Sequence, residues 1–107
     1  MGKNIKILGH TYEVIVDDCH SREDKRAYIN FLSHEIHVDR RLQLSAQQEC
    51  LLHEVLEGIN YHLSLNLSHD GQIVPLSEAQ YLVFRESGLI NIDKMKEYLT
   101  EDKNVLG

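Results

Sequence analysis

The chain has 107 residues, 42% of them hydrophobic and 26% charged, which suits one compact domain around a single core and leaves too little for two independently stable ones. A net charge of −6 without any Lys/Arg run gives no support to recognition of nucleic-acid phosphates. No stretch reaches the roughly 18 consecutive apolar residues of a membrane span, and no charged-then-apolar leader opens the chain, so a soluble cytoplasmic protein is expected.

Residues 4–8 and 12–16 alternate apolar and polar side chains around Gly9, His10 and Thr11, the pattern of a β-hairpin with its turn at 9–11. Residues 17–25 are polar without a period and form a loop that holds His20 as a solvated side chain. Two further strands are expected at 27–31 and 35–38, joined through Leu32, Ser33 and His34. Alternation puts Ile36 and Val38 on one face and His37 on the other, so His34 and His37 belong to the polar face of an exposed strand. Cys19 and Cys50, far apart in the chain, fit reduced thiols better than a disulfide.

Residues 44–63 form the central helix. Leu52, Val55, Leu56, Ile59 and Leu63 recur at helical spacing, and Ser45 is the expected N-cap, with Gln48 and Glu49 in the first turn. With Leu52 at the centre of the buried face, His53 lies near ~100°, Glu57 near ~140° and Glu54 near ~200°, one flank where core meets solvent. His62 falls on the opposite flank. Cys50 shares the flank of His53 but is read as a small hydrophobe.

Ser68 would cap a helix starting at His69, with Pro75 introducing a kink or short turn before a helix over 76–86 that Ser87 and Gly88 close. Asn91 would cap a last helix over 92–99, and 101–107 read as a frayed tail. The resulting expectation is a single α+β domain over 1–107, mainly β in 1–44, mainly α in 45–100 and flexible in 101–107. A small antiparallel sheet of three to four strands would pack on the central helix, followed by one or two further helices.

His53 and Glu57, one helical turn apart, can point at one ion, and His69 can join them if the chain reverses between them. Two imidazoles and a carboxylate, with the fourth position left to water, have the composition of a zinc hydrolase site, and Glu54 is placed to take a proton from that water. Tyr61 and Tyr81 are candidate oxyanion donors, with aromatic packing the favoured role for both.

A strand, a short connection and a helix carrying Leu51-Leu52-His53-Glu54-Val55-Leu56-Glu57 resembles the zincin-like metallopeptidases, whose helix bears His-Glu-x-x-His. It is similar in particular to the small members encoded by bacteriophages and prophages. The resemblance covers residue 5 to about residue 86, with the chemical information in 51–69. It implies His53 as first metal ligand, Glu54 as general base and zinc as cofactor; at this size a peptide or protein partner would have to lie in an open groove. The location it implies is the cytoplasm, that of the host if the chain is phage-encoded. The departure is at position 57, where the family has its second histidine. Zincins that complete their ligand set with a glutamate on a later helix hold the same groups in another order, so Glu57 and His69 would have exchanged places.

A second expectation from another class is a non-catalytic phage accessory or interaction protein, with a structural metal or none. Four protein ligands, for instance with Cys50 recruited, would mark a structural site. A ferrous facial triad has the same composition but lacks a double-stranded barrel pattern here.

Overall fold

The computed structural model describes residues 3–19, 26–88 and 95–99. Four strands, β1 (Lys3–Ile7), β2 (His10–Asp17), β3 (Ala27–Asn30) and β4 (Glu35–Asp39), precede α1 (Leu44–Leu63), a π-helical turn (His69–Ile73), α2 (Val74–Ser87) and α3 (Met95–Leu99). This is the expected α+β architecture. Among the described residues no helix is long and apolar enough to cross a membrane.

β1 and β2 form the hairpin, but its turn is Leu8-Gly9 rather than 9–11, with His10 already paired to Ile7. Both turn residues have positive φ, 51° and 85°, the primed turn whose twist matches that of the strands. A two-residue turn leaves His10 and Thr11 in the ladder.

The sheet order is β1-β2-β4-β3. The outer pairs are antiparallel, whereas β2 and β4 run parallel, with Val14 opposite Ile36 and Val16 opposite Val38. The expected all-antiparallel sheet is therefore mixed, and β4 is a central strand rather than an exposed one. The cause is burial, because β4 carries Ile36 and Val38, both with no exposure, and a strand buried on one face gains most when neighbours satisfy both edges. Asn30 shapes the β3–β4 connection by accepting the Leu32 and Ser33 amides on its side chain.

Ile7, Tyr12, Val14, Ile36 and Val38 meet Leu51 of α1 and Leu99 of α3 in one core. α1 begins at Leu44 after Gln43, which occupies the cap position without a side-chain bond, so Ser45 lies inside the helix and is not its N-cap. In place of a cap, the buried Gln47 amide nitrogen lies 3.1–3.3 Å from the carbonyls of Asp39, Arg40 and Leu42. The residues that bury fully are Gln47, Gln48, Leu51, Glu54 and Gly58, about 100° round from the Leu52-centred face, and Leu63 is exposed. The reason is that α1 is sandwiched between the sheet and the π turn with α2, and a helix with two partners has no single buried stripe.

Of the kink or short turn expected at Pro75, the structure has a turn: Pro75 sits in the first turn of α2, directly after the π turn, where its fixed φ suits the start of a helix. Gly88, in the left-handed region at φ 70°, ends α2 by donating to Phe84. Of the expected last helix, Met95–Leu99 is described; Asn91, His20 and the tail 101–107 lie outside the described residues.

Candidate metal centre

α1 supplies His53 and Glu57 one turn apart, and the chain must then reverse to bring His69 back. Ser64, at φ 52°, ends the helix by donating to Tyr61, and Leu65 donates to the Asn60 carbonyl. The Asn60 side chain accepts the Leu67 amide at 2.9 Å, and the Ser68 amide donates to Gln72 Oε1 at 2.8 Å. Gln72 and Ile73 both donate to the Ser68 carbonyl, and the π turn that they close opens on His69. π-turns of this kind re-aim a side chain within an otherwise helical run.

The outcome is a triangle. His53 Nε2 and His69 Nε2 stand 3.1 Å apart, and each lies 3.5 Å from Glu57 Oε2. Ligand bonds of ~2.0–2.1 Å at tetrahedral angles set ligand atoms ~3.3 Å apart, so these three atoms match one face of a tetrahedral site. Among the described residues His53, Glu57 and His69 are the group that can hold a metal ion.

The far nitrogens decide the tautomers. Ser77 spends its single hydroxyl hydrogen on the Val74 carbonyl at 3.0 Å, which leaves its oxygen to accept from His53 Nδ1 at 3.4 Å. His69 Nδ1 donates to Asp70 Oδ1 at 2.8 Å. A proton on Nδ1 of each ring leaves the Nε2 lone pairs to face the Glu57 carboxylate. Two imidazole nitrogens and a carboxylate oxygen around one point could hold a cation, with Ser77 and Asp70 holding the rings from behind. Burial pushes the His53 imidazole below its ordinary range, Glu57 opposes that, and His69 adds to it, so His53 favours the neutral, ligating form.

Glu54 is not on the solvent rim. It is 6% exposed, because its flank of α1 turns towards the sheet, and it lines the same cleft as the triangle. That cleft encloses about 630 Å³ between Tyr28, Ile29 and Phe31 on the sheet side and Val74 and Glu78 on the α2 side, with Cys50 in its wall. Burial raises the Cys50 thiol, which fits an inert neighbour.

Neither tyrosine candidate lines the cleft. Tyr81 is buried and donates to Gln48 Oε1 at 2.9 Å, while Tyr61 stacks on Phe31 at 3.9 Å between ring centroids. His62 is apart from the triangle, as the wheel places it, and its Nε2 is hydrogen-bonded with the Tyr12 hydroxyl. His37 is half-buried between Asp17 and Glu35, at 2.6 and 2.9 Å, rather than solvated on an outer strand. Sequence reasoning missed Ser77 and Asp70. The signal for Asp70 was available as a carboxylate adjoining His69; Ser77, 24 positions from His53, gave none.

No protein-family model, no curated protein and no solved structure matches this chain.

Proposed function

We propose that this chain is a zincin-like, zinc-dependent hydrolase of peptide bonds. His53, Glu57 and His69 hold the ion, and Glu54 is the general base. The observation that carries the reading is the convergence of two imidazole Nε2 atoms and one carboxylate oxygen at 3.1–3.5 Å. Zinc bound by these residues would supply Lewis acidity that lowers the pKa of a water it holds towards ~7. Glu54, in the wall of the same cleft and largely buried, would be the residue to take a proton from an attacking water and return it to the departing amine. Ser77 and Asp70 keep the two rings aimed. The open cleft leaves an extended peptide or a flexible protein segment room beside the triangle.

One observation favours the second reading, an interaction protein with the same ion in a structural role. Leu76 and Val83 of α2, seven positions apart and so on one flank of the helix, are both about half exposed.

Elemental mass spectrometry of the purified protein tests the metal: about one zinc per chain is expected, lost in His53→Ala and Glu57→Ala. Zinc retained in both variants, or never bound, refutes the ligand set. Glu54→Gln separates the two readings, since it should keep zinc and lose peptide hydrolysis. Zinc-loaded wild type that cleaves no member of a peptide library leaves the interaction protein.

A further inference from the structure

Three histidines outside the metal triangle meet where the last turn of α1 lies against the sheet. His10 opens β2, His34 sits in the β3–β4 turn at φ 57°, and His62 is the penultimate residue of α1. The His10 and His62 rings stack with 3.8 Å between centroids and 4° between planes. His34 stands edge-on to both, at 5.9 and 6.5 Å, and stacks on Tyr12 at 4.6 Å. Tyr12, with no exposure, has its hydroxyl 2.6 Å from His62 Nε2. Stacked rings do not share an ion, and these three are outside the group whose ligand atoms converge.

We propose that His10, His34 and His62 form an acid-opened clasp that holds the end of α1 on the sheet and, through it, the loop that carries His69. The closed form needs a neutral His62, because only an unprotonated Nε2 accepts the Tyr12 hydroxyl. A proton there turns the acceptor into a donor, and reversing the bond would strand the hydroxyl hydrogen of a buried tyrosine. The groups facing His62 are His10 and Tyr12 from β2, His34 and the Phe31 ring from the β3–β4 turn, and Tyr61 from its own helix. Burial, then His10, then His34 all disfavour a charge on it. A second proton on His10 would set two cations in parallel at stacking distance.

The clasp reaches the metal site through Asn60. Its carbonyl receives Leu65 and its side chain receives Leu67, so fraying of the last turn of α1 frees the loop 64–68 that delivers His69. Acid release of the ion rests on the metal reading above; the clasp itself does not.

Amide hydrogen exchange on the metal-free full chain at about pH 7.5 and about pH 5, corrected for intrinsic rates, tests it. The Leu65 and Leu67 amides should lose roughly fivefold in protection at the lower pH, the worth of one net hydrogen bond. His62→Gln, whose amide oxygen can still accept from Tyr12 and does not titrate, should abolish that difference. His10→Gln, which leaves the Tyr12 bond intact, should shrink it, and decides the matter if His62→Gln does not fold. Equal protection at both pH values in the wild type, or a loss undiminished in the variants, overturns the clasp. Zinc is absent throughout, so a failed metal site would leave this result untouched.

Discussion

Gly58 sets how closely the ligand-bearing helix approaches the sheet. A Cβ there would stand 2.9 Å from Ile7 Cδ1 and 3.4 Å from Ile7 Cγ2, with Ile29 Cδ1 at 3.5 Å. Gly58→Ala should gain about 1 kcal/mol of helix propensity. Against this, carbon contacts are optimal at ~3.5–4.0 Å, and overpacking a filled core costs ~1–3 kcal/mol. Ile7 is 4% exposed and has no open side to move into, so the net expectation is a loss of about 1 kcal/mol. Ile7→Val removes the offending Cδ1 and by itself costs ~0.5–1.5 kcal/mol. In that background the closest contact relaxes to the 3.4–3.5 Å shell, and Gly58→Ala should become neutral or stabilising. The double-mutant cycle should thus return a favourable coupling of ~1–2 kcal/mol. Urea unfolding of the four proteins gives the values, each kcal/mol moving the midpoint by roughly 0.3–1 M at unchanged m. If Gly58→Ala stabilises both backgrounds equally, Gly58 is not a spacer and the reasoning fails. Because Glu57 adjoins Gly58, a lifted helix should weaken zinc binding in parallel with stability.

Two further outcomes follow from the site. Ser77→Ala leaves His53 Nδ1 without its acceptor and should weaken zinc binding by about 10- to 100-fold in competition titrations while leaving stoichiometry unchanged; unaltered affinity would remove Ser77 from the site. In the metal-free chain the His53 imidazole is held below its ordinary range, mainly by burial, so the unfolded chain takes up that proton first. Neither state binds it well above about pH 6.5, and stability is lost as the pH falls from there through the lowered folded value. Urea midpoints should drop on acidification less in His53→Gln than in the wild type, and an identical drop would show that His53 carries none of it.

Much of this was legible locally. Alternation in residues 4–8 and 12–16, the Ile36/Val38 pair and the helical period over 44–63 each report a pattern within one element, and each element formed. His53 and Glu57 share a flank because four residues make about one turn, whatever the surroundings. Other features depend on partners. The Leu52-centred face was misplaced because periodicity counts apolar residues and cannot tell which of two neighbours they meet. Glu54 was placed at the rim for the same reason, although α1 turns it towards the sheet. Likewise the parallel β2–β4 pairing joins strands separated by another in the chain, which no local pattern encodes.

By itself, then, the sequence determined the elements and the one pair of donors whose spacing is a property of the helix. The tertiary structure decided the rest of the candidate centre: that the reversal held by Asn60 brings His69 to within 3.5 Å of Glu57, that Ser77 and Asp70 stand against the two Nδ1 atoms, and that Glu54 is buried in the same cleft. The physical reason is range. Helical spacing and turn chemistry act over a few residues, whereas ligand convergence, tautomer and burial are set by groups that only packing makes neighbours.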